Sequence, residues 1–425
     1  MNLSEFIKKS PTQFHAVSVI SQVLSENGFE ELNEYNEWQL ERGKKYFTTR
    51  NGSAVIAFTV PDVDIQRFMI TASHSDSPCL KIKDNPELLC GNYKMLSTEV
   101  YGGMLYSTWL DRPLGIAGRI TVKTENGFEV KIVDFGKACA VVPNVAIHLN
   151  RTANDGIKYN PAVDLVALYS SDKNSCFADD LAAAAGVKKE DILSTDLQLY
   201  VCEDSVVYND LISAPRLDDL QCVYASLEAF TENQKVESNI NMLCVFDNEE
   251  VGSSTKQGAD STFLTDTLTR ICASLGISED RKCVLAAQSM MLSCDNAHAV
   301  HPNQPALSDK NNAPYINGGV VIKYNARQKY TSDAVSSSIF KLVCEKAGVP
   351  YQSYANRSDI PGGSTLGNIS NTKFSLITAD IGISQLAMHS AYETAGVKDT
   401  VYMTNALSQF YKTKLVFNGK KIDLM

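Results

Sequence analysis

The sequence lacks any run of about 18 apolar residues, so no segment is long enough to cross a bilayer as a helix. It also lacks a surplus of cations: 39 Lys and Arg stand against 49 Asp and Glu, a net charge of −10. That balance suits neither a nucleic-acid backbone nor an anionic membrane surface, and neither partner is expected. Closely spaced cysteines are missing as well. Eleven are present, an odd count, and no two form a C-x-x-C motif; near neighbours such as Cys79 and Cys90 lie eleven positions apart. Buried reduced thiols are therefore expected, not a disulfide framework or a thiolate zinc site. Met1 to Val17 carry Glu5, Lys8, Lys9 and Pro11 where a signal peptide needs an unbroken apolar stretch, so the expected compartment is the cytoplasm. No Walker A loop, G-x-G-x-x-G fingerprint, G-x-S-x-G elbow or H-E-x-x-H helix occurs. Gly362-Gly363-Ser-Thr-Leu-Gly367 lacks the Lys-Ser/Thr ending of a phosphate loop and reads as a tight turn or as backbone lying beside a substrate.

What is present is a chain of 425 residues, 44% hydrophobic and 21% charged, the composition of a globular protein large enough for more than one domain. Apolar residues at helical spacing (Phe14, Val17, Ile20, Leu24) predict a helix over 12–29 that stops at Gly28. β-Branched runs predict strands over 53–60 and 67–72. From about 88 to 206 the texture is strand-rich: 119–123, 127–133 and 139–149 read as strands, 155–160 as a polar stretch and 179–185 as a short helix. Afterwards α/β alternation resumes, with helices over 218–231, 263–275 and 334–347 and strands over 240–246, 284–289, 318–324 and 374–379. Near-continuous apolar strands separated by helices predict an α/β fold, a mixed sheet covered by helices on both faces. The expected division is 1–87 and 207–425 for the main domain, with 88–206 as an inserted β-rich module.

In an open α/β sheet the chemistry gathers beyond the carboxyl ends of the strands. The residues that follow the apolar runs are His74-Ser-Asp76, Asp247-Asn-Glu249-Glu250, Cys294-Asp295-Asn-Ala-His298 and Met388-His389-Ser390. Arg216-Leu-Asp218-Asp219 stands at the start of a predicted helix. Imidazole and carboxylate together are the ligands of catalytic zinc sites that lack cysteine, and they also suit Mn and Co. Two such cations sharing one carboxylate would sit about 3.5–4 Å apart and activate water for hydrolysis. On a helix, Glu249-Glu250 would read as a solvated face. At a strand end the two side chains diverge, so one can bind metal while the other acts as general base. Asp76 is placed to receive the second ring N–H of His74. His298 and His301 could ligate by spacing alone but read as structural or supporting residues. His15 lies on the first helix, and spacing does not place His148.

The sequence resembles the aspartyl aminopeptidase family of dinuclear zinc metallopeptidases, as a bacterial-type member. The resemblance is carried by His74-Ser-Asp-Ser-Pro-Cys79, Ala214-Pro-Arg-Leu-Asp-Asp219, Asp247-Asn-Glu-Glu-Val-Gly-Ser253, Cys294-Asp-Asn-Ala-His-Ala-Val-His-Pro-Asn303 and Gln385-Leu-Ala-Met-His-Ser390, in family order. It implies a zinc-exopeptidase-like fold and removal of N-terminal residues, preferably acidic, from peptides. It implies two zinc ions per subunit: Asp218 bridging, His74 and Asp295 completing one site, Glu250 and His389 the other, with Glu249 as general base. Lys323 would pair with an acidic P1 side chain, and Tyr330 would stand near the scissile carbonyl, with Gly362 and Gly363 beside the substrate. His148 would arrive from a neighbouring subunit or act as a metal ligand. The insertion would be a dimerisation domain, with dimers assembling into a tetrahedral dodecamer. A metal-dependent deacylase or carboxypeptidase of the same fold, or a non-catalytic assembly protein, is the alternative.

Overall fold

The structure is a computed structural model and describes residues 1–234 and 238–425. Its centre is a nine-stranded mixed sheet in the order Glu30–Glu31, Lys45–Arg50, Ala54–Thr59, Asn239–Phe246, Arg67–His74, Met290–Cys294, Ile377–Gly382, Val320–Tyr324, Tyr351–Ala355. The middle four strands from Asn239–Phe246 to Ile377–Gly382 run parallel. Their carboxyl ends therefore share one edge.

These strands read as unbroken apolar runs because both faces are covered. In Asn239–Phe246 every residue is buried; Leu243 and Val245 enter one core while Met242, Cys244 and Phe246 enter the other. The first core is closed by helices Gln13–Glu26, Leu217–Glu232, Ala334–Ala347 and Val397–Lys412, and the second by Phe263–Ser274 and Glu279–Ala287. At about 1.5–3 kcal/mol per fully buried aliphatic or aromatic side chain, these two layers dominate the stability of the main domain.

A six-stranded antiparallel sheet takes its strands from residues 79–201 and has its own core, in which Leu80, Leu114, Ile116, Leu197 and Leu199 pack with Phe177 and Leu181 of helix Phe177–Ala185. Its strand Cys79–Cys90 runs directly on from the turn after Arg67–His74, so residue 88 falls inside a strand. A five-stranded sheet, Val206–Tyr208, Leu211–Ala214, Glu393–Gly396, Ser384–Leu386 and Ala297–His298, lies beside these two sheets. No described helix is long and apolar enough to cross a membrane.

Three local expectations are corrected. Residues 284–287 end helix Glu279–Ala287, and the strand begins later, as Met290–Cys294. A four-residue apolar run has no period of its own, and Ser278, accepting from the Arg281 N–H, caps a helix there. Residues 139–149 form no strand: isolated bridges at Ala140, Val141 and Val142 precede Pro143, after which the chain turns. Phe374 closes helix Leu366–Lys373, so the following strand is Ile377–Gly382.

Candidate metal centre

His74 is the last residue of Arg67–His74, level with Phe246 in the neighbouring strand, and Asp295 directly follows Met290–Cys294. Asp218 sits in the first turn of helix Leu217–Glu232, where backbone torsions depart from helical values and turn its carboxylate back over the sheet edge. Glu249 and Glu250 form a short 3-10 turn entered through Asn248 at φ 62. His389, at φ 66, tops the hairpin between Ser384–Leu386 and Glu393–Gly396.

These elements place five of the expected residues together. His74, Asp218 and Asp295, with Asp219, offer ligand atoms within 4.8 Å of one another, and so do Asp218, Glu250 and His389. Asp218 belongs to both groups. Its Oδ1 lies 3.4 Å from Nε2 of His74, and its Oδ2 lies 3.7 Å from Nε2 of His389, which is also 3.3 Å from Glu250. Each imidazole is oriented from behind: Nδ1 of His74 donates to the Asp76 carbonyl at 3.1 Å, and Nδ1 of His389 donates to the Gly103 carbonyl at 3.0 Å. Both Nε2 atoms therefore face the carboxylates.

Asp76 is buried beside His74, as its spacing suggests, but its ring contact is chiefly through the carbonyl. Its carboxylate, 3.4 Å from that ring, accepts the backbone N–H of Glu249 at 3.1 Å and of Glu250 at 3.2 Å, and the hydroxyl of Tyr101 at 2.7 Å. That fixes the double-glutamate turn. Glu393 has a comparable role on the other side, accepting from the N–H of Asp218 at 3.0 Å and of His389 at 2.8 Å.

The electrostatics favour a cation. Four carboxylates crowd two imidazoles, and among the described residues Asp218 Oδ1, Asp219 Oδ1 and Glu250 Oε1 are buried without a hydrogen-bond partner. Orphaned carboxylate oxygens in a dry site are expensive unless a metal takes them. Burial, with Asp218 adding to it, pushes the Glu250 carboxyl well above its ordinary range, and burial raises Asp219 likewise. Burial opposes a charge on His74, but the adjacent Asp218 and Asp76 carboxylates raise its pKa well above normal. Burial, with Asp295 and Asp76 against the attraction of His74, pushes Glu249 up to about 8.

The cluster opens into a cavity of about 400 Å³, which Glu249, Lys323, Tyr330, Gly363, His298 and Tyr354 also line. Lys323 is 2% exposed; its ammonium donates to the Asn296 carbonyl at 2.9 Å and lies 3.5 Å from Asp295. It also stands over the Tyr330 ring at 5.4 Å. Gly362 packs on Asn356 instead of lining the cavity. His301 is exposed, and His15 is on the first helix, bonded to Thr12. His148 lies on an exposed turn and does not join the cavity wall of its own chain. Asp219, Glu393 and Tyr101 carry parts of this site that motif spacing did not assign. Asp219 had a signal, its adjacency to Asp218, and Glu393 a weak one, four positions from His389; Tyr101 had none, since its partners Asp76 and Asn248 are remote in sequence.

Residues 6–411 match the family model described as Aminopeptidase I zinc metalloprotease (M18). A probable M18 family aminopeptidase 2 of Clostridium novyi is 45% identical over 96% of this chain and 97% of its own length. Among solved structures, Ape4 in the cryo-EM complex of Ape4 and Nbr1 superposes with a TM-score of 0.92 at 32% identity, covering 96% of this chain and 84% of that one. The mApe1 dodecamer of S. cerevisiae superposes with a TM-score of 0.82 at 25% identity, over 96% and 95%.

Proposed function

The chain belongs to the M18 family of zinc metalloprotease aminopeptidases, and from that membership we propose how this site removes an N-terminal residue, which side chain it prefers and how the subunits assemble. The single observation that carries the proposal is Asp218, whose two oxygens face two separately oriented imidazoles. His74 and Asp295 would hold one zinc, Glu250 and His389 a second, with Asp218 shared; Mn or Co fits the same donors. Zinc held there would supply Lewis-acid polarisation of the scissile carbonyl and would acidify water.

The remaining work falls to side chains. Glu249, whose carboxyl burial makes more basic than an ordinary glutamate, would take a proton from the attacking water and deliver it to the leaving amine. Tyr330, whose hydroxyl burial pushes above its ordinary range, stays a hydrogen-bond donor beside the carbonyl. Lys323 meets an acidic P1 side chain from the cavity wall. Against burial, Asp295 raises its pKa, so it keeps its charge. A neutral P1 side chain would leave that buried ammonium with Asp295 and the Asn296 carbonyl as its polar contacts.

Assembly is supported by apolar surface on the insertion: Phe128, Val130 and Ile132 alternate, exposed, on the edge strand Gly127–Asp134, and Val145, Ile147 and Leu149 are exposed around His148. These faces suit dimerisation and growth to a tetrahedral dodecamer, and the likeness to the mApe1 dodecamer supports that state. His148 would then reach a neighbouring copy's cavity. The test is zinc content with a panel of Asp-, Glu- and Leu-p-nitroanilides and N-acylated amino acids. We expect zinc, activity highest on the acidic anilides, and a loss of about 10²–10⁴-fold in Glu249→Gln at unchanged metal content. Activity confined to the N-acylated set would overturn the reading.

A further inference from the structure

The inserted sheet reaches the metal centre through residues 101–105. Strand Tyr93–Tyr101 ends at Tyr101, whose hydroxyl donates to Asp76 Oδ2 at 2.7 Å and accepts from Asn248 Nδ2 at 2.8 Å. It thereby joins the carboxylate that grips the Glu249 and Glu250 N–H groups to the residue preceding them. Gly102, at φ 74, lies so close that a Cβ there would stand 3.2 Å from Cβ of Glu250. The carbonyl of Gly103 accepts from Nδ1 of His389, and the N–H of Leu105 donates to the His389 carbonyl at 3.0 Å. His74 and Asp295 are held chiefly by backbone of the main sheet: their N–H groups donate to Asp219 at 3.2 Å and to the Ile381 carbonyl at 3.0 Å, and the His74 ring donates to the Asp76 carbonyl at 3.1 Å, whereas Tyr101 bonds the Asp76 carboxylate.

We infer that residues 101–105 position the Glu250–His389 half of the centre and set its affinity for a cation, leaving the His74–Asp295 half to the nine-stranded sheet. The inference rests on the two-cation reading above. It gives the insertion a second role, independent of any surface it offers to another copy. Groups that orient metal ligands commonly change affinity by 10–100-fold when removed. A His389 ring without its Gly103 acceptor loses both its tautomer preference and its aim.

The test uses the full-length chain stripped with a chelator and titrated with Zn²⁺, and in parallel with Co²⁺, whose visible absorption reports each site's coordination. Wild type taking two equivalents keeps the two-cation reading; a single equivalent overturns that reading and the inference with it. For Tyr101→Phe, which removes one hydroxyl, we expect one equivalent to bind as in wild type and the other, at the Glu250–His389 site, at least about tenfold more weakly. We also expect lower kcat with particle size unchanged. Gly102→Ala presses on Glu250 directly and should give the same selective loss. Two equivalents bound as in wild type by both variants, or both equivalents weakened alike, would overturn the assignment.

Discussion

Asp380 offers a sharp test of how the cavity wall is held, because it is fully buried and touches no expected ligand. It lies on Ile377–Gly382. Its Oδ2 accepts the backbone N–H of Thr331 at 2.5 Å and the Thr331 hydroxyl at 2.7 Å, and its Oδ1 accepts the Thr365 hydroxyl at 2.5 Å. Thr331 follows Tyr330, and Thr365 ends the Gly363–Thr365 stretch of the wall. One carboxylate thus clasps two loops. Asp380→Ala removes three charge-assisted bonds and strands one N–H; the hydroxyls can rotate toward other partners, the N–H cannot. At about 1–3 kcal/mol for an orphaned group plus the lost bonds, the expected destabilisation is ~3–5 kcal/mol, a large share of a usual 5–15 kcal/mol. Freed by about 1 Å, Tyr330 and the wall should lower kcat/KM by up to about 10²-fold. Asp380→Asn keeps one acceptor for Thr331, and its amide can donate to the Thr365 hydroxyl, so its cost should stay near ~1 kcal/mol. Urea unfolding and kcat/KM on an acidic anilide measure both effects. If Asp380→Ala stays within about 0.5 kcal/mol and twofold of wild type, the clasp is irrelevant and the reasoning fails.

Two further outcomes follow from buried charge. Burial pushes Asp399 up to about 6 although it accepts the Asn317 and Gly319 N–H groups at 2.6 and 3.0 Å. Between about pH 4 and 6 the folded chain then binds more protons than the unfolded one, so this residue's contribution to stability falls as pH rises through that window and is flat above it. The difference in urea midpoint between wild type and Asp399→Asn should change across pH 4–6, and a pH-independent difference would falsify the assignment. Stripping divalent cations should lower the thermal midpoint, since Asp218, Asp219, Glu250 and Asp295 are left facing one another. At a free cation concentration 100 times Kd the loss is about 2.7 kcal/mol, and an unchanged midpoint on chelation would remove the cation from the explanation.

Much of the site is legible in the chain because each parallel strand delivers its next residue to the same edge. His74 and Asp295 follow their apolar runs directly, and Glu249-Glu250 follows Asn239–Phe246 after two residues. Where legibility failed, local signals were degenerate. Residues 284–287 satisfy helix and strand alike, and the apolar alternation at 145, 147 and 149 marks an exposed loop instead of a sheet face.

The sequence by itself determined the chemistry available: a chain without paired thiols or excess cations, with carboxylates and imidazoles at the ends of buried strands. That much is local, set by side-chain type and by a period that needs no partner. Only the tertiary structure decided how those groups are aimed. His389 takes its orientation from Gly103, 286 positions away, and the double-glutamate turn takes its own from Asp76 and Tyr101. Such pairings depend on which strands lie side by side once the cores are buried, and no spacing along the chain encodes them. The six-stranded sheet therefore meets the carboxylate–imidazole cluster at residues whose sequence neighbours give no hint of the contact.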